Sequence, residues 1–325
     1  MRRISIGLLA SAGFLTLLFT QQADAGVISF GSGANQFDME FVEIGDAGNL
    51  PDATGAPNPA GAVPYIYNMG KFEVSEDMIT KFNNSQSLAI TTDTRGPNKP
   101  ATNVSWNEAA RFVNWLNTSQ GFQAAYNFTT GGVNDNIALW EPGDSGYDSS
   151  NPFRNSLAQY FLPSADEWYK AAYYDPLSDT YFDYPNGSDT APNAVTTGDD
   201  ANTAVFNQTF TQGPADIKQA GGLSPFGIMG MGGNVYEWEE TSLDLNNSSG
   251  SSNRGIRGGF WFSHVSGFLS SSNRSDDNPA IEFYSDGFRV ASLSSSATVP
   301  EPGSLVVWSA ICVGGLCFRR RRVRK

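Results

Sequence analysis

Phe161-Leu162-Pro163-Ser164-Ala165-Asp166-Glu167-Trp168 marks a helix start by residue type alone. Ser164 answered three residues later by Glu167 is a capping box, in which each side chain takes a backbone N–H that the first helical turn leaves without a partner. Pro163 stands just before the cap, and the helix runs from Ala165 to about Tyr173, burying Trp168 and Ala172. Ser105-Trp106-Asn107-Glu108 repeats the device, and Ala109, Phe112, Val113 and Leu116 follow at helical spacing to give one apolar face. A third helix starts after Ser75 with Met78, Ile79 and Phe82. Met39 to Ile44 alternates like a strand, with Met39, Phe41 and Glu43 opposite Glu40, Val42 and Ile44. The turn after Phe226 and the Gly258-Gly259 pair read as close backbone approaches. Gly, Asn, Asp and Pro are scattered between these elements and no repeat occurs within residues 37–293. That composition predicts one domain of short elements and long ordered loops, not a helical bundle.

The two ends follow a different logic. Arg2 and Arg3, an apolar run from Ile4 to Phe19, and Ala23-Asp24-Ala25 form the basic, apolar and small-residue order of a secretory signal. Residues 1–25 are therefore expected to be removed by signal peptidase, so that the mature chain begins at Gly26. At the other end, Ser-rich sequence leads into Val299-Pro300-Glu301-Pro302-Gly303, an apolar run from Leu305 to Phe318, and a tail of Arg319 to Arg322, Arg324 and Lys325. That order resembles the PEP-CTERM sorting signal of bacteria that make extracellular polysaccharide. Independently, an apolar helix of that length reaches only ~21 Å, short of the ~30 Å hydrocarbon core, and the charges behind it favour the cytoplasmic side. The division is thus signal peptide 1–25, domain 26–293, linker and sorting motif 294–303, membrane segment 304–318 and basic tail 319–325. The resemblance implies cleavage by an exosortase and delivery to the cell envelope, the surface or the extracellular matrix; a plain tail anchor is the other reading of the same residues.

The ends carry eight of the 20 Lys and Arg and two of the 33 Asp and Glu, which leaves 12 against 31 over residues 26–298, near −19. A surface of that charge repels phosphate backbones, so no nucleic-acid partner is expected. Both cysteines, Cys312 and Cys317, fall in the apolar tail. The domain therefore has no thiol nucleophile, no thiolate ligand and no disulfide. Trp106, Trp115, Trp168, Trp238 and Trp261 are expected mostly in the core, and Arg257 and Arg289 are expected to pair with acids such as Glu167, Glu237 or Asp286.

Phe41-Val42-Glu43-Ile44-Gly45, Gly70 to Ser75, Pro100 to Trp106 and Phe161 to Trp168 come in an order that resembles formylglycine-generating-enzyme (sulfatase-modifying-factor) domains. Gly232-Gly233-Asn234-Val235-Tyr236-Glu237-Trp238, Arg257-Gly258-Gly259-Phe260-Trp261 and Gly287-Phe288-Arg289-Val290 complete the series. The resemblance implies an α+β fold, irregular and loop-rich, with C-type-lectin-like elements.

In the enzymes of that family a cysteine pair five positions apart binds copper, and by resemblance its places are taken here by Ser263 and Phe268. Neither a hydroxyl nor a phenyl ring holds Cu(I), which needs soft sulfur ligands, so no copper is expected. The one histidine, His264, is too few for a multi-imidazole iron or zinc site. The resemblance further implies structural calcium at the Gly233, Val235 and Glu237 turn, with Ser224 upstream and a second site aligned to Asn207 and Asp216; solvated turns are the equal alternative. Two functions follow as expectations. One is a non-catalytic binding or structural module, for extracellular polysaccharide or a surface protein. The other is an enzyme of unknown chemistry, oxidoreductase-like or acyl-transferring, in a degenerate pocket of Trp261, Ser263, His264, Phe268 and Arg274.

Overall fold

A computed structural model describes residues 26–294 of the chain. The segments read as signal peptide, sorting motif, membrane run and basic tail lie outside the described residues, apart from Ser294. Among the described residues no helix is long and apolar enough to cross a membrane.

β1 (Gly26–Phe30), β2 (Phe37–Ile44) and β3 (Tyr67–Gly70) form successive antiparallel pairs. They are followed by α1 (Glu76–Ser85), α2 (Trp106–Ser119), β4 (Tyr160–Phe161) and α3 (Ala165–Tyr173). Two small ladders come next, β5 (Tyr174–Asp175) with β6 (Thr180–Tyr181) and β7 (Asn193–Ala194) with β8 (Thr203–Ala204). The chain ends in β9 (Tyr236–Ser242), β10 (Arg254–Arg257), β11 (Ser275–Asp277), β12 (Asp286–Gly287) and β13 (Ala291–Leu293). The first sheet has the order β1-β2-β3-β13-β4, so the last strand inserts between early ones and ties the two ends of the domain together. The second has the order β11-β10-β9-β12, with β12 parallel to β9. Short sheets, three helices and long loops make this an irregular α+β fold, as the sequence implied.

The helices start where their caps stand. Ser105 and Ser164 each accept the N–H of the glutamate three residues on, and Glu108 and Glu167 each accept the cap's own N–H. Ser75 caps α1 in the same way through Met78 N–H, without the reciprocal bond. The apolar face of α2 packs Phe112 against Phe37, Phe82 and Phe288 with ring centroids 5.4–6.1 Å apart, which joins both helices to the first sheet.

Two local expectations need correction. Met39 and Phe41 of β2 are buried, but so are Val42 and Ile44, while Glu43 is exposed. The second half of the strand is covered on the face that its first half leaves open, and Glu43 lies beyond the end of the Met39–Phe41 face. At Gly227 a side chain would meet nothing, and its φ of +86° is the reason for glycine. Gly259 fits the close-approach reading, since a Cβ there would stand 2.9 Å from Leu269 Cδ1.

Candidate functional site

β9 carries three glutamates within four residues, Glu237, Glu239 and Glu240, and all are fully buried. A buried carboxylate is tolerated only when paired and hydrogen-bonded, and each of these is. Arg289 Nε donates to Glu237 Oε2 at 2.6 Å, and Trp168 Nε1 donates to the same oxygen at 2.7 Å. Glu239 lies between Arg257 and Arg274, the latter at 2.8 Å. Strand alternation sends Glu240 to the other side, where Arg154 Nε reaches it at 2.8 Å and Arg154 Nη2 reaches Glu167 at 2.8 Å. Tyr126 O–H (2.8 Å) completes Glu240, and Tyr65 O–H (2.6 Å) completes Glu167. Burial alone would raise Glu167, but the Arg154 charge and the hydrogen bonds outweigh it and hold that carboxyl below its usual range.

The Gly232–Trp238 turn rests on this ladder. Asn234 sits at a φ of +61°, accepts the Ala215 N–H at 2.8 Å and donates to Glu73 at 2.8 Å. Glu73 has no cation of its own: burial and the neighbouring Glu237 charge push its pKa well up, against the pull of Arg289. Asp286 on β12 is raised to about 7 by burial, with Ser285 Oγ on one oxygen and no partner on the other among the described residues.

The residues implied as calcium ligands are engaged with protein. The Glu237 carboxylate is held by Arg289 and Trp168, and Ser224 Oγ donates to Ala171 O at 2.9 Å. Gly233 N–H is bound to Gly258 O at 2.7 Å, and Val235 is fully buried. Of the looser pair, Asn207 N–H binds Ser263 O, while Asp216 pairs with Lys99. Among the described residues no group of three His, Cys, Asp or Glu is placed to hold a metal ion.

The five residues of the degenerate pocket differ in burial and in partners. Trp261 is fully buried beneath the Arg95 guanidinium, 4.7 Å from its ring. Ser263 is buried too, and its Oγ accepts the Phe260 N–H at 3.0 Å. His264 is exposed, with its ring 4.4 Å from that of Phe262. Phe268 is 38% exposed, and Arg274 belongs to the Glu239 pair. Phe260 packs on Tyr236 at 5.3 Å and on Trp261 at 5.5 Å.

Open space lies elsewhere. One cleft of about 380 Å³ stands over Arg154, between Tyr65, Asp148, Asn151 and Asn247. Another, of about 370 Å³, runs along α2 between Arg111, Trp115, Phe128 and Trp140. The sequence reading missed Arg154 and both clefts. The surplus of buried acids on β9 was the one signal for Arg154, because they require more cations than Arg257 and Arg289 supply.

Residues 36–293 match the family model of the sulfatase-modifying factor enzyme 1-like domain. Among solved structures, variable protein 1 of Treponema denticola is 17% identical with a TM-score of 0.56, covering 82% of this chain and 99% of its own. CarF is 20% identical with a TM-score of 0.54, over 78% and 98%. PvdO from Pseudomonas aeruginosa is 16% identical with a TM-score of 0.50, over 82% and 98%. No curated protein sequence matches the chain significantly. At these identities the solved structures establish the shared fold, and the family match over most of the length establishes kinship: the chain belongs to the sulfatase-modifying factor enzyme 1-like family.

Proposed function

We propose that this protein is an exported surface or matrix protein whose domain works as a binding module and not as a formylglycine-generating oxidase. The observation that carries the proposal is the state of the two cysteine-equivalent positions. Ser263 has its Oγ committed to the Phe260 N–H inside an aromatic plug, and Phe268 offers a hydrocarbon ring at the surface. Neither provides the soft ligand that copper and oxygen chemistry requires. The β9 ladder argues the same way, since each of its charged pairs is closed on itself and serves the scaffold.

The signal-like N-terminus and the PEP-CTERM-like tail support export, with exosortase and signal peptidase as processing partners and passage through the inner membrane by the C-terminal segment. The net charge near −19 favours neutral matrix components over anionic ones. Aldehyde formation on a sulfatase-type cysteine peptide, with copper supplied, is expected to be nil; a positive result overturns the proposal. Retention of a matrix component of the host on the immobilised full chain is the positive half of the test. Calcium at the Gly233–Glu237 turn belongs to the same proposal, held by backbone oxygens. Chelator is then expected to lower the melting midpoint, and an unchanged midpoint rejects the ion.

A further inference from the structure

Six of the seven tryptophans lie among the described residues, and four of these, Trp106, Trp168, Trp238 and Trp261, are fully buried. The two that remain, Trp115 on α2 and Trp140 in a loop, are only partly buried and line the same cleft, although they are 25 positions apart. Tryptophan, with an apolar body and a polar N–H, is enriched at interfaces, and a cleft of about 370 Å³ is at the lower end of the ~300–1,000 Å³ of small-ligand pockets.

The walls are fixed in advance. Trp115 is backed by Phe37 at 5.9 Å and Phe82 at 5.6 Å. Trp140 Nε1 donates to Ala125 O at 3.0 Å, which sets the plane of the indole. Asn114 clamps Tyr126 by both its amide atoms, at 2.7 and 2.8 Å. Arg111 lies flat over Phe128 at 3.8 Å and donates to the carbonyls of Val133 and Thr130. Arg111, Asn114, Trp115 and Thr118 share one stripe of α2, beside the apolar face that enters the core.

From this juxtaposition we infer that the α2 cleft is a binding site for a neutral saccharide segment. Sugar rings present C–H faces that pack on aromatic faces, and hydroxyl edges that take amide and carbonyl partners. No carboxylate lines the cleft, so a cationic ligand has no counter-charge there. Its one cation is committed to Phe128 and to loop carbonyls, and the surrounding domain repels anionic chains. The cleft over Arg154 is a weaker candidate, because Glu167 and Glu240 already accept from Arg154, Tyr65, Tyr126 and Asn151. The inference rests on the binding-module reading and names the class of ligand and the place for it.

The test uses the full chain, a panel of neutral hexasaccharides (gluco-, manno- and xylo-configured) and an acidic hexasaccharide. Binding is read by tryptophan emission and calorimetry. At least one neutral hexasaccharide is expected to bind and shift the emission. Thr118→Arg places a long side chain in the mouth of the cleft from an exposed position, and Trp140→Phe removes an indole while keeping an aromatic ring. Each is expected to weaken binding at least tenfold, with Thr118→Arg leaving the melting midpoint unchanged. Undiminished binding in both variants places the saccharide elsewhere and sinks the cleft while leaving the module reading intact. Binding of the acidic hexasaccharide alone overturns the ligand class. A third arm exposes immobilised wild type to host matrix polysaccharide and surface protein. If it retains nothing there and binds no hexasaccharide, both the cleft and the module reading fall.

Discussion

The interior of β9 and the outward stripe of α2 handle polar groups in opposite ways. On β9, three buried glutamates are matched by Arg154, Arg257, Arg274 and Arg289. Taking ions out of water is costly, so such a ladder gains through fixing where β9, β10, α3 and the Gly70 edge meet more than through net energy. On α2, Arg111 and Asn114 are tied to nearby backbone, and the aromatic faces of Trp115 and Trp140 remain partly uncovered. The first region is a scaffold whose carboxylates are all taken, and the second has surface to offer. The difference locates function by what is left unburied and not by where the charge is densest.

The comparison breaks first at Arg289. Arg289→Met leaves Glu237 and Glu73 together in the core without a cation, and the expected loss in chemical denaturation is ~3–5 kcal/mol. A loss under ~1 kcal/mol would show that the ladder is not a structural element.

The next effect is on pH dependence. Burial raises Asp286 and Glu108 to about 7, so the native state holds protons that the unfolded chain has released. Their stabilisation is present in acid and is lost as pH rises from about 4 to about 7. Glu167, held low by Arg154, contributes in the opposite sense and is lost on acidification. Stability is therefore expected to peak below neutrality. Asp286→Asn keeps the acceptor for Ser285 and is expected to flatten the decline towards pH 7; an unchanged slope in a melting series would show that Asp286 does not carry it.

The caps were legible because their chemistry is local. Ser105 and Ser164 reach donors within one turn, and three residues of sequence contain the whole interaction. Arg289 with Glu237 was legible as a kind of pair, because both stand in family blocks. Arg154 was not, since its acids are 13 and 86 positions away and no spacing links them. Asp286, expected with an arginine, has none. The tryptophans were expected mostly in the core because their size argues for burial, and four of the five named are fully buried; Trp115, packed against the core on one side, lines a cleft with residues of the 124–140 stretch. The site residues read from the Gly258-Gly259 block were placed by resemblance, and a resemblance carries positions without the packing that buries Ser263 and ties Arg274 to Glu239.

Cap removal gives a medium effect that tests whether α2 owes its position to its own start or to its neighbours. Ser105 is buried and its hydroxyl also donates to Asn134 Oδ1, so Ser105→Ala is expected to cost ~2 kcal/mol, the upper end for caps, if packing of Phe112 and Trp106 holds the helix independently. A much larger loss in thermal or chemical melts would tie the cleft's geometry to the cap.

The smallest expected effect is the most informative about the stripe. Thr118 is exposed near the C-terminal end of α2, and its hydroxyl donates to carbonyls of the preceding turn, Asn114 O at 3.0 Å and Trp115 O at 3.4 Å. Arginine is a better helix former than threonine, and a cation near a helix C-terminus meets a favourable dipole. Thr118→Arg is therefore expected to change stability by no more than ~0.5 kcal/mol, in contrast to Arg289→Met. A loss of 2 kcal/mol or more in the same denaturation assay would mean that the stripe is packed as tightly as the β9 ladder, and the distinction between scaffold and surface would fail at that helix.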